Sequence, residues 1–168
     1  MGDFTDSVLI AIFVSFPEAM MMLMMGFSLC NVRIHIMKLL LISGIQGIVA
    51  FIVIILHFDN MGIQAILQLL SLWILVSVLY KMKFHKGIIP VLLGFFTIGI
   101  LQGIYFPLSE QIFGTDLDKV GANFQYTLIT SLPVYIIFFL LLVIVMNRKI
   151  TFCHITMESE HTNRKKMI

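Results

Sequence analysis

The stretch Val8–Leu29, "VLIAIFVSFPEAMMMLMMGFSL", decides how this chain is read. It is 22 residues of almost unbroken apolar side chains, interrupted near the middle by Pro17 and Glu18. Apolar runs of about 18 residues or more are long enough to cross the hydrocarbon of a bilayer as a helix. Four further runs have the same character: Leu39–Leu56, Met61–Leu79, Ile88–Leu108 and Tyr126–Met146. Hydrophobic residues make up 60% of the 168 positions and charged residues only 12%. Soluble domains run near half apolar and a quarter charged, so the core of a soluble domain is the wrong frame. The expected fold is all-α: a polytopic integral membrane bundle of five transmembrane helices over residues 1–150, followed by a polar tail, 151–168. The first run is expected to be an uncleaved helix. The preceding "MGDFTDS" has two acids and no base, unlike a secretory signal.

Charge sets the expected orientation. Basic residues in short loops stay on the cytoplasmic side. Ten of the eleven fall on one side of a five-span chain: Arg33, Lys38, Lys81, Lys83, Lys86, Arg148, Lys149, Arg164, Lys165 and Lys166. The other side takes Asp3, Asp6, Asp59, Glu110, Asp116 and Asp118, with Lys119 its one base. The amino terminus is expected outside and the carboxyl terminus inside a plasma membrane. This topology accounts for the basic inner face, which would meet anionic lipid headgroups, so nucleic acid is not expected as a partner.

No catalytic, metal or cofactor constellation emerges. Cys30 and Cys153 fall at the inner boundary, where a reducing compartment disfavours a disulfide. Cys30 with His35 fits no nucleophile–base spacing. "CHITMESEH" (Cys153–His161) places its first two ligand types side by side rather than at metal-binding spacing. Helix packing is expected from small residues four apart, Ser43 with Gly47 and Gly99 with Gly103, within the bundle first and across a homodimer second. Pro17 and Pro133 should bend their helices or free a carbonyl. The methionines after Glu18 are adaptable filler.

Glu18 is the chemical singularity. It lies ten residues into its run, roughly 15 Å along a helix and so near mid-membrane. A carboxylate there costs several kcal/mol unless it is paired, neutral or turned to the bundle. Gln46 on the second run stands at similar depth and is the expected hydrogen-bond partner. Gln64, Gln68 and Gln102 complete a polar set lying toward the outer side, with Ser71 and Thr97 deeper. The set is a candidate ligand- or proton-sensitive site, and equally a structural lock between the first two helices.

Three features follow one another along the chain. They are the proline–glutamate pair in the first helix, the basic link running into "YKMKFHKGIIPVLLGFFTIGILQGIYFPL", and the outer loop "SEQIFGTDLDKVGANFQ" before a last "SLPVYIIFFLLLVIVMNRK". Over residues 8–150 this order resembles the membrane sensor module of agr-type, peptide-pheromone-like receptor histidine kinases of Gram-positive bacteria. That resemblance implies a helical bundle that senses an extracellular signal, often a peptide, and passes a change of shape to a kinase. The chain departs from it after Met146: the remaining 22 residues hold no ATP-binding boxes and no long phosphoacceptor helix. The expected function is therefore a non-enzymatic sensory or regulatory membrane protein. It would act through a membrane or cytoplasmic partner, with an extracellular peptide or small ligand as its signal. The alternative is a small transporter or channel component, a substrate-binding or accessory subunit with Glu18 in the pathway.

Overall fold

The structure is a computed structural model that describes residues 2–56, 61–113 and 124–153. Among them there is no strand. The elements are α1 (Gly2–Ile10), a π-helical turn (Ala11–Ser15), α2 (Phe16–Leu29), α3 (Ile36–Ile55), α4 (Met61–Leu79), α5 (Phe84–Phe113) and α6 (Phe124–Arg148). The first three run on as one rod, giving five helices long and apolar enough to cross a membrane. The rods outrun the apolar runs that announce them: α5 starts four residues before Ile88 and ends five after Leu108. Helical hydrogen bonding continues through polar ends where hydropathy has already fallen. Pro90 and Pro107 both lie inside α5.

Outward faces are apolar. Ile12, Ile48, Ile66, Val78, Phe96, Ile104, Ile136 and Phe139 are all exposed. An unbroken apolar exterior of this kind would drive association in water, and it fits a chain surrounded by lipid. α2 is the central helix and packs against α3, α5 and α6, most extensively α5. Leu23, Met25 and Phe27 of α2 are buried with Leu39 and Ile42 of α3, Leu72 and Val76 of α4, Val91 of α5 and Phe138 of α6.

The tightest crossing is between α2 and α5. A Cβ added to Gly26 would overlap the Pro90 carbonyl, and one added to Gly94 would overlap the Met22 carbonyl. The two backbones therefore touch reciprocally, which only glycine permits. Gly47 makes a looser crossing on the other flank, where an added Cβ would stand 3.3 Å from the Ala11 carbonyl oxygen. Ser43 is fully buried one turn earlier. The expectation for Gly99 and Gly103 is corrected: both are exposed, with nothing within 4 Å of an added Cβ, so they join no contact within the bundle. Their half of α5 turns those positions outward, because the close face of α5 is the one carrying Gly94.

Three helix ends share one device. Asn31, Lys81 and Lys149, at the ends of α2, α4 and α6, have φ of 51°, 51° and 50°. In each case the next residue's N–H reaches back five residues: Val32 to Phe27 (2.9 Å), Met82 to Ser77 (3.0 Å) and Ile150 to Val145 (3.2 Å). This is the Schellman closure, here with non-glycine residues in the left-handed position, each costing about 1–2 kcal/mol. The chain then crosses back over the end of α2. The N–H groups of Phe152 and Cys153 both donate to the Leu29 carbonyl, at 2.8 and 3.3 Å, satisfying an acceptor that the end of α2 leaves without a helical donor.

Candidate functional site

Pro17 has no N–H and its ring crowds the preceding turn. The helix answers by widening: Ala11–Ser15 is π-wound, and the Phe16 N–H donates to the Ala11 carbonyl five residues back. Turns of this kind interrupt α-helices frequently at functional sites. Glu18 follows directly, in the first turn of α2.

Glu18 finds partners on two other helices. The Gln102 amide of α5 donates to Glu18 Oε1 at 2.8 Å. The Tyr135 hydroxyl of α6 lies 3.3 Å from Glu18 Oε2 and 3.3 Å from the Val14 carbonyl oxygen, which belongs to the π turn. Tyr135 stands two residues beyond Pro133. Three rods that each carry an internal proline, Pro17 in the first, Pro90 and Pro107 in α5 and Pro133 in α6, thus meet at one carboxyl group. In these segments few other groups can answer a carboxyl, and among the described residues no Lys, Arg or His is seen bonded to Glu18.

The expected Glu18–Gln46 pair is not formed. Gln46 turns to α4: its Oε1 accepts from the Ser71 hydroxyl at 2.9 Å, and its Nε2 donates to the Gln68 backbone carbonyl at 3.1 Å. Gln68 contributes its main chain there. Gln64 lies one turn earlier on α4. The single polar interior expected from Glu18, Gln46, Gln64, Gln68 and Gln102 is therefore two clusters, one joining the first rod to α5 and α6, the other joining α3 to α4. Position along a run fixes depth but leaves azimuth free. Gln46 bonds to α4, whereas Gly47, one residue on, lies against the first rod.

The azimuth follows from the glycine crossing. Glu18, Met22 and Gly26 are four apart and share one face of α2; Pro90, Gly94, Ile98 and Gln102 share one face of α5. The chains run antiparallel, with Gly26 on Pro90 and Met22 on Gly94. One turn further along brings Glu18 against Ile98 and Gln102. The backbone contact sets the register and the register delivers the hydrogen bond. Tyr135 carries one sequence signal, a phenol at mid-run beside a proline, which the polar set read from the sequence leaves out.

The end of the bundle where α2 and α4 finish carries a separate cluster. Cys30 is fully buried and Cys153 half-buried, and both thiols are free. Burial first, and then the neighbouring Cys153, push the Cys30 thiol up to about 11, so it is protonated and a poor nucleophile at neutral pH. The His35 ring faces Tyr80, with centroids 6.3 Å apart, and Lys38 Nζ stands 5.2 Å from the centroid of the same phenol ring. Of the "CHITMESEH" residues, His154 and His161 lie outside the described residues.

Compared with protein-family models, curated proteins and solved structures, the chain matches none.

Proposed function

We propose that this chain is a non-enzymatic sensory or regulatory protein of the plasma membrane. Its responsive element is the Glu18–Gln102–Tyr135 cluster, and its output passes to a membrane or cytoplasmic partner at the basic end. The observation that carries the reading is a single carboxyl group, held between three helices at mid-depth, beside a π turn and two prolines. Such groups are expensive in hydrocarbon and mark functional sites by default. A change at Glu18 bears on α1–α2, α5 and α6 together, so the cluster couples the rods that form most of the bundle.

Sidedness supports the same reading. Arg33, Lys38, Lys81, Lys83, Arg148 and Lys149 gather at the end where α2, α4 and α6 finish, while Asp6 and Glu110 lie toward the other. In the proposed topology that basic end is cytoplasmic. In a chain with Cys30 and Cys153 replaced by serine, Asp116→Cys should react with an impermeant maleimide on intact cells. Lys83→Cys should react only after the membrane is opened. The opposite pattern would end the five-span orientation.

The functional test is co-purification from native membranes with Glu18 varied. A specific signalling or regulatory membrane protein should be recovered with the wild type, and its recovery or activity should change with Glu18→Gln. That substitution keeps shape and hydrogen-bonding capacity, so thermal stability in detergent should hold. Glu18→Leu removes the bonds as well, and should loosen the bundle by about 0.6–2 kcal/mol. A partner indifferent to both variants would reduce the cluster to a structural lock. Recovery of a transport ATPase would favour the transporter-subunit alternative instead.

A further inference from the structure

We propose that Cys30 and Cys153 are a reversible redox pair: a hydroperoxide oxidises the two thiols to a disulfide that ties the exit of α6 to the end of α2. The pair lies at the end of α2 remote from Glu18, so its chemistry does not depend on the role of that carboxyl group.

The backbone brings the two residues together. Cys30 closes α2, with its N–H bonded to the Gly26 carbonyl at 3.1 Å. Cys153 lies beyond the end of α6, and its N–H donates to the Leu29 carbonyl at 3.3 Å. In a trans peptide the Leu29 oxygen and the Cys30 Cα lie on the same side, about 2.8 Å apart. Adding the N–Cα bond of Cys153 puts the two Cα atoms at most about 7.6 Å apart, were the path straight. The path bends at both the oxygen and the nitrogen, which brings the separation down toward the roughly 4.4–6.8 Å that disulfides span. The side chains agree. Cys153 packs on the buried cluster that contains Cys30, and a charge on the Cys153 thiol is felt by Cys30. Neither residue lies inside a helix, so joining the sulfurs requires no helix to unwind.

Exposure divides the roles. Cys30 is fully buried, whereas Cys153 is half-buried and is the thiol that a dissolved oxidant reaches. The Cys153 sulfur attacks the hydroperoxide. An S–O bond forms as the O–O bond breaks, and the thiol proton leaves with the released oxygen as water or alcohol. The Cys30 sulfur then attacks the sulfenic sulfur. The S–S bond forms, the S–O bond breaks, and the second thiol proton leaves with that hydroxyl as water. The thiols give up two electrons and the peroxide accepts them. Cys30 is a poor nucleophile toward anything that must diffuse to it, but its target here is held beside it, which makes the step intramolecular. In the proposed topology both sulfurs are on the cytoplasmic side, where disulfides are transient and redox-sensing. The free thiols of this structure are the reduced form of the pair.

The purified wild-type chain in detergent, treated with hydrogen peroxide and alkylated after denaturation, tests this. Both thiols should be lost together from the monomer, a cross-linked Cys30–Cys153 peptide should appear on digestion, and a phosphine reductant should restore both. The oxidised monomer should melt several degrees above the reduced one, because the bond closes a loop over α3–α6. Cys153→Ser should leave Cys30 open to alkylation at peroxide doses that consume it in the wild type. Cys30→Ala should leave Cys153 as a sulfenic acid, trapped by dimedone, with no rise in Tm. Both thiols surviving peroxide, a disulfide formed only between chains, or Cys30 oxidised as fast in Cys153→Ser as in the wild type would each overturn the pair.

Discussion

Gly26→Val and Gly94→Val should each abolish most of the folded protein recovered in detergent, and Gly26→Ala should already lower the Tm clearly. The added Cβ at either position meets main-chain carbonyl atoms of the opposite helix, which cannot swing aside as a side-chain tip would. Helix propensity pulls the other way: alanine is favoured over glycine by about 1 kcal/mol in a helix interior. Overpacking usually costs about 1–3 kcal/mol, and here it falls on two backbones at their point of contact. The clash should win. Gly44→Ala and Gly99→Ala are the controls, because nothing lies within 4 Å of an added Cβ there. They should be neutral or slightly stabilising. The double variant Gly26→Ala/Gly94→Ala should cost less than the sum of the singles, since one separation of α2 from α5 relieves both overlaps. The same separation should pull Gln102 from Glu18. Equal stability for Gly26→Ala and Gly44→Ala would refute the crossing.

Phe27→Ala should be the most damaging truncation of a side chain. Phe27 is fully buried, and its ring lies 4.7 Å from that of Tyr80 in a tilted pair. Large-to-small changes at buried Phe cost about 3–5 kcal/mol in water-soluble cores. Lipid is as apolar as the core, so the transfer component shrinks and lost packing remains. The expected loss is therefore toward the lower end of that range, still several times the effect of Phe139→Ala on the exposed face of α6. Tyr80 should loosen as well, with its hydroxyl leaving the backbone of His35, at 3.4 and 3.5 Å from N and O. Thermal unfolding of both variants in one detergent checks the ranking.

The helices were legible because each run repeats one property over about 20 residues. Met61–Leu79 emerges with its expected ends, and the others differ by a few residues where polar side chains continue a helix. Contacts between rods were less legible. Small residues four apart mark a face without saying what that face meets: Gly47 lies against the first rod, Gly99 and Gly103 meet nothing within the bundle, and the decisive pair, Gly26 and Gly94, has Met22 and Pro90 at the fourth position. Since a backbone carbonyl, not a small side chain, fills the other half of each contact, a small-residue pattern could not find it. Glu18 announced itself by its cost. Its partners did not, because depth is a one-dimensional coordinate and choosing Gln102 over Gln46 requires the rotation of α2 about its own axis. That rotation is set by the Gly26 and Gly94 contacts.

The two N–H bonds from Phe152 and Cys153 to Leu29 give the molecule a load path. A force applied to the chain at Cys153 is not borne by α6 alone. It is delivered sideways, through one carbonyl, to the last turn of α2, eleven residues along the same rod from Glu18. A pull at Cys153 is thus applied to the helix that carries the carboxyl group, and a rotation or piston movement of that helix would in turn pull on the chain where it leaves α6.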